Sequence, residues 1–176
     1  MIRPGPPATA ALPRRHVLRA GFAAIGALAA VEVAAAIAPF LRVTRVIGLG
    51  ETIVAGRTAE ILARFASTND APILFPQHRF FLLRAPGGII AAYRKCTHLG
   101  CAVPFAPGED RFHCPCHQSL FDKHTAVVIG GPAPKPLQLF HIREEANGDL
   151  LVDTNPLTVI DRRENRWDPA HLEIRA

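Results

Sequence analysis

The sequence predicts an all-β, antiparallel head preceded by one transmembrane helix. Three observations carry this expectation: a long apolar run near the N-terminus, two hairpin signals further on, and sixteen prolines spread through the chain. An apolar run of that length fits a membrane span, and hairpin turns join antiparallel strands. Prolines at that density oppose long soluble helices.

Residues 1–19 read as a basic leader segment. Arg3, Arg14, Arg15, Arg19, Arg42 and Arg45 face a single acid, Glu32, within the first 45 residues, whereas residues 46–176 balance 14 basic against 14 acidic side chains. The formal +5 of the chain therefore belongs to the leader and its flank. A neutral body has no basic field to follow a phosphate backbone, so no nucleic-acid partner is expected. Arg14-Arg15-His16-Val17-Leu18-Arg19 resembles a twin-arginine export signal, and the same arginines satisfy the positive-inside rule. Both readings put the N-terminus in the cytoplasm and the body on the periplasmic or extracytoplasmic side of the inner membrane.

Residues 20–41 form the expected anchor. Glu32 is the one charge in the run, and Phe22, Ile25, Leu28 and Val31 recur every third residue. An acid near the bilayer centre costs about 2.5–3.5 kcal/mol, which favours placing Glu32 against a partner helix or a polar crevice. Ala34-Ala35-Ala36 offers a small-residue cleavage pattern, so the alternative to a retained single-pass anchor is a removed signal. Residues 42–57, with Gly48, Gly50 and Gly56, read either as a hinge between span and head or as a linker running into a first strand.

Residues 58–155 read as the β-rich domain, beginning with the mixed polar and apolar stretch Thr58–Phe65. Phe80–Arg84 and Ile89–Tyr93 flank Ala85-Pro86-Gly87-Gly88, and Leu137–Arg143 and Leu150–Asp153 flank Asn147-Gly148. Both are hairpin patterns. Residues 156–176 form a polar tail around Trp167, expected to pack on the head or on a partner.

The chemistry sits in two boxes, Cys96-Thr97-His98-Leu99-Gly100-Cys101 and Cys114-Pro115-Cys116-His117-Gln118-Ser119, which hold all four cysteines. Mixed Cys and His donors at this spacing suit a zinc ion. They equally suit an iron–sulfur cluster with cysteines on one iron and histidines on the other. Two structural disulfides with incidental histidines are the third reading.

The boxes resemble those of the Rieske iron–sulfur protein of cytochrome bc-type quinol–cytochrome c reductase complexes. Gly131-Pro132-Ala133-Pro134 resembles that family's proline loop. The resemblance implies a Rieske-type antiparallel β-sandwich with an inserted cluster-binding subdomain at about residues 94–136. It implies that Cys96 and Cys114 hold one iron of a [2Fe-2S] cluster, that His98 and His117 hold the other, and that Cys101 and Cys116 form a disulfide. Such a bridge persists in an oxidising compartment, in keeping with export. Ser119 matches a serine that donates a hydrogen bond at the cluster, while Pro132 and Pro134 limit water around it. Phe121 stands where many relatives have tyrosine, and Gln118 where many have glycine. Fewer hydrogen bonds to sulfur lower the cluster potential, which points to menaquinol as the electron donor.

The implied function is electron transfer within a membrane oxidoreductase complex. His117, with His98 beside it, meets the membrane quinol and couples electron uptake to proton uptake. The electron then passes to a c-type cytochrome, with a cytochrome b-type subunit as the membrane partner and the head swinging on its tether. The alternative is the exported Rieske small subunit of another oxidoreductase, such as an arsenite oxidase type with a molybdenum partner. His113 reads as a surface residue or a neighbour of the site. His78, His124 and His141 read as ordinary, Arg94 and Lys95 as solvated, and Asp122 as fixing a turn.

Overall fold

The structure, a computed structural model, describes residues 13–41 and 49–175. Residues 1–12, 42–48 and 176 lie outside the described residues, and with them most of the leader and the linker glycine Gly48. The chain divides into two compact units, one holding the N-terminal helix and the other everything from the first strand onward.

Helix α1 spans Arg14–Leu41, about 42 Å at 1.5 Å per residue. It begins before the expected span because Arg14–Arg19 are mostly good helix formers and offer no breaker. Pro39 falls in its last turn, where the missing N–H removes one hydrogen bond close to the point at which the helix ends. By length and composition the segment Arg14–Pro39 could cross a membrane, and Phe22, Ile25, Leu28 and Val31 are all exposed along it.

The second unit opens with β1 (Thr52–Arg57), helix α2 (Thr58–Ser67), β2 (Ile73–Phe75), β3 (Phe80–Ala85) and β4 (Gly88–Tyr93). Four short strands follow: β5 (Phe105–Ala106), β6 (Arg111–His113), β7 (Leu120–Asp122) and β8 (Val128–Gly130). The chain then returns through β9 (Leu139–Glu144) and β10 (Asp149–Asp153) and ends with β11 (Ile174–Arg175). The large sheet runs β1-β10-β9-β4-β3-β2, with β11 also paired to β4, and the small sheet runs β5-β6-β7-β8. All pairings are antiparallel. The small sheet is an insertion between β4 and β9, so the fold class is the one expected.

Strand periodicity explains how the large sheet buries both faces. Phe81, Leu83, Ile90 and Ala92 join Cys96, Cys114, Phe112 and Phe121 in one core beneath the small sheet. Phe80, Leu82, Ile89 and Ala91 point the other way, into a second core with Ile61 and Phe65 of α2. Alternation of two along β3 and β4 sends neighbours to opposite faces. The site is thus mounted on a strand pair whose side chains are nearly all buried.

Two expectations need correction. Thr58–Phe65 is helix, not strand: Ile61 and Phe65 are four apart and share one buried face, with Ala and Glu on the others. The hinge reading of 42–57 fails at its C-terminal end, because β1 pairs with β10. Gly50 N–H also donates to the Thr154 carbonyl (3.1 Å). Gly56 lies in that ladder beside a register shift rather than in a free tether. The tail takes one of its two expected placements, packing on the head through β11 on β4 and buried Leu172 and Ile174.

Candidate metal centre

The two boxes are loops of one backbone design. In the first, Cys96 N–H donates to the Cys101 carbonyl (2.8 Å) and Gly100 N–H to the Cys96 carbonyl (2.9 Å). In the second, Cys114 N–H donates to the Ser119 carbonyl (2.8 Å) and Gln118 N–H to the Cys114 carbonyl (3.0 Å). The fifth residue of each loop sits in the left-handed region, Gly100 at φ +82° and Gln118 at φ +61°. Glycine meets that requirement without strain, whereas a side chain there costs about 1–2 kcal/mol.

Gln118 is held by its side chain. Its Oε1 lies 2.6 Å from His113 Nε2, and His113 Nδ1 lies 2.8 Å from Glu109 Oε1. The hydrogen bond and charge of Glu109, with Gln118 assisting, hold the His113 imidazole above its ordinary pKa of 6.5. His113 in turn holds the Glu109 carboxyl below 4.5. His113 is therefore a neighbour of the second loop and a support for it.

The loops bring the predicted residues together. Cys101 and Cys116 form a disulfide across them. Cys96 and Cys114 remain as buried free thiols. The His98 and His117 rings meet edge to face with centroids 4.7 Å apart. His117 is exposed and His98 half-buried. Burial pushes the Cys96 thiol above its ordinary pKa, and the His98 backbone N–H pulls it back. The neighbouring Cys114 thiol raises it further, and the Ser119 hydroxyl lowers it. The Cys101, Cys114 and Cys116 sulfurs also lie within 4.8 Å of one another. Two of these are spent in the disulfide, which leaves Cys114 and Cys96 as the two buried free thiols.

This donor set fits an iron–sulfur group. Two thiols are buried and unspent in any disulfide, and His98 Nδ1 is buried with no hydrogen-bond partner among the described residues. Buried polar atoms without partners are rare and mark a missing ligand or a functional role. Cys96, Cys114, His98 and His117 could together hold such a group.

The proline loop covers the loops from above. A Cβ on Gly131, whose φ is +81°, would fall 2.5 Å from the Gln118 carbonyl oxygen and the Ser119 Cα, so only glycine allows this approach. Ala133 is buried while Pro132 and Pro134 face outward. Ala133 N–H donates to Ser119 Oγ (3.2 Å), and Thr97 Oγ1 donates to the Lys135 carbonyl (2.6 Å). Phe121 is fully buried with the two thiols and brings no hydroxyl to the site.

Sequence reasoning missed Thr97, the Ala133 N–H and the roles of Glu109 and Gln118. The matching fifth positions of the two boxes could have signalled the constraint on Gln118. Of the other histidines, His124 Nδ1 bonds the Arg84 carbonyl and His141 pairs with Glu173 at 2.6 Å. His78 Nδ1 is buried without a partner. Asp122 caps its turn, accepting from the N–H groups of His124 and Thr125.

Residues 63–141 match the family profile of the Rieske [2Fe-2S] domain. The chain is 47% identical over 76 residues to the chloroplastic cytochrome b6-f complex iron-sulfur subunit of Bigelowiella natans, covering 41% of this chain and 28% of that one. It is 49% identical over 74 residues to cytochrome b6-f complex iron-sulfur subunit 1 of Trichormus variabilis, covering 41% and 39%. The match thus spans well under half the length of these relatives. Among solved structures, the cyanobacterial plasma membrane Rieske protein from Synechocystis PCC 6803 is similar with TM-score 0.42 and 25% identity, over 57% of this chain and 97% of that one.

Proposed function

This chain carries a Rieske [2Fe-2S] domain at residues 63–141, and from that premise we propose that it is the electron-transfer subunit of a membrane quinol–cytochrome c reductase. The observation that carries the reading is the pairing of two buried thiols with two apposed imidazoles, one of them open to solvent. Cys96 and Cys114 would hold one iron, and His98 and His117 the other. Bound there, the [2Fe-2S] cluster supplies a one-electron acceptor whose two histidine ligands raise its potential into the quinol range.

The chain's own residues do the rest. His117 presents an exposed ring nitrogen that accepts a hydrogen bond from the quinol hydroxyl and takes its proton. The Cys101–Cys116 disulfide holds the two loops in register. Ser119 and the proline loop limit water and supply one hydroxyl donor near sulfur. With Phe121 in place of a second hydroxyl, the potential falls toward the menaquinol range. Helix α1 anchors the chain in the inner membrane, with the N-terminus cytoplasmic and the domain outside. A cytochrome b-type subunit is its membrane partner and a c-type cytochrome its acceptor.

The test is electron paramagnetic resonance of the reduced full chain, with purification of its native complex. A rhombic two-histidine signal, lost in Cys96→Ser and His117→Ala, and a co-eluting cytochrome b are expected. A molybdenum-containing partner overturns the assignment to the reductase. Phe121→Tyr is expected to raise the midpoint potential in a redox titration, and an unchanged value sinks the menaquinol reading.

A further inference from the structure

The tail after β10 makes an unusual set of contacts for a polar segment. Arg162 is among the most deeply buried large side chains of the protein, at 1% exposure. Among the described residues its guanidinium meets no carboxylate. Nε donates to the Leu137 carbonyl (3.0 Å), Nη1 to that of Thr125 (2.6 Å), and Nη2 to Leu137 again and to Ala126 (3.4 Å). Burial lowers its pKa to about 10, so it remains a cation at neutral pH. A buried charge is tolerated where its donors are satisfied, and here backbone carbonyls satisfy them.

The neighbouring residues grip the same region. Asp161 accepts from Lys135 Nζ at 2.7 and 2.6 Å and from Gln138 Nε2 at 3.0 Å. Ile160 pairs with Leu139 by reciprocal backbone bonds of 2.8 and 3.1 Å. Asn165 brackets Val128, accepting from its N–H (2.7 Å) and donating to its carbonyl (2.9 Å). Every one of these partners lies between Thr125 and Leu139, on the two ends of the proline loop.

We propose that residues 160–165 are a clasp that positions the proline loop, and through it the Ser119 hydroxyl, over the metal centre. The inference rests on the Rieske reading of that centre. Arg162 and Asp161 act as positioning residues through a continuous chain. Arg162 and Asp161 hold Leu137 and Lys135, and the loop they bound carries Ala133. Ala133 N–H occupies an acceptor lone pair of Ser119 Oγ, which leaves the Ser119 O–H free to donate toward the Cys96 sulfur. Thr97 ties the first box to the same loop at the Lys135 carbonyl. A loosened clasp frees the loop and weakens the hydroxyl donation, which lowers the potential.

The test uses the full chain purified in detergent with its cluster, as wild type, Arg162→Lys and Asp161→Asn, each also combined with Ser119→Ala. Hydrogen exchange of the Gly131, Ala133, Lys135 and Leu137 amides is expected to quicken at least tenfold in both single variants, with the β3 and β4 amides unchanged. The midpoint potential is expected to fall, by about threefold in the oxidised-to-reduced ratio at fixed poise, the scale of one weakened hydrogen bond. In the Ser119→Ala background the same substitutions are expected to add no further shift, since the coupled pair shares one route. Unchanged exchange at these loop amides, or an equal shift without Ser119, overturns the clasp. Should Arg162→Lys fail to fold, Asp161→Asn decides alone, because Asp161 is an exposed side chain whose loss spares the core. A wild-type chain without the two-histidine signal would sink the Rieske reading, while the exchange comparison would still judge the clasp.

Discussion

The two loops of the metal centre share a hydrogen-bonding plan and differ in what holds each of them to it. The first box has Gly100 at its left-handed fifth position and needs no side-chain support there. It is tied instead to the proline loop, through Thr97 and the Lys135 carbonyl. The second has Gln118 at the same position, in a conformation that costs a side chain about 1–2 kcal/mol. That cost is offset by hydrogen bonds to His113, itself held by Glu109. One backbone requirement is met in one loop by leaving out a side chain and in the other by tethering one.

The largest way to break this comparison is to cut what joins the loops. The Cys101–Cys116 disulfide spans a sequence separation of 15. Cys101→Ser with Cys116→Ser is expected to lower unfolding stability by about 3 kcal/mol in denaturant melts. The double substitution avoids leaving a lone reactive thiol. The four backbone bonds within the boxes should survive it in the folded state, because each loop closes on itself.

A smaller effect isolates the fifth position. Gly100→Ala is expected to cost about 1–2 kcal/mol in the same melts, since the added Cβ must adopt the left-handed conformation. At the other loop the informative pair is Gln118→Ala against Gln118→Gly. Both remove the hydrogen bond to His113, so their difference reports backbone strain less the extra unfolded-state freedom of glycine. Strain of about 1–2 kcal/mol outweighs that freedom, so the glycine variant is expected to be the more stable by up to about 1 kcal/mol. A more stable alanine variant would show that Gln118 is not strained and would remove the contrast between the loops.

The smallest expected effect comes with acid. The outer supports of the loops end on carboxylates, Asp161 through Lys135 for the first and Glu109 through His113 for the second. Hydrogen bonds from Lys135 and Gln138 hold Asp161 below its ordinary 3.8, and His113 holds Glu109 below 4.5. A depressed carboxylate contributes stability above its ordinary value and loses it as pH falls through the lowered one. Both groups are largely solvent-screened, so the gain is modest. On acidification through these lowered values both supports are expected to be released, read as lost exchange protection at amides 116–118 and 97–100 relative to their intrinsic rates. Unchanged protection at 116–118 would show that the second loop does not depend on Glu109.

Much of the site is legible in the residues because its candidate ligands sit in short motifs. Cys96, His98, Cys114 and His117 lie within loops whose spacing a reader can see, and the hairpin turn Pro86-Gly87 declares itself by composition. Thr58–Phe65 is ambiguous in the sequence because eight residues of mixed polarity fit a strand or a helix until the spacing of Ile61 and Phe65 is weighed. Thr52–Arg57 leaves hinge and first strand both open, because its strand character depends on β10, almost a hundred residues away. Arg162, one arginine among several in a polar tail, shows no local sign of being buried.

By itself the sequence determined the leader's charge, the apolar segment long enough for a membrane, the antiparallel hairpins and the paired Cys and His boxes. Each of these is written in neighbouring residues, where charge, hydropathy, turn chemistry and ligand spacing act over a few positions. Only the tertiary structure decided that β1 joins the sheet, that Gln118 is tethered by His113, and that the tail clasps the proline loop. Those features depend on groups brought together from far apart in the chain, and a guanidinium finds buried carbonyls only after the core around them has closed.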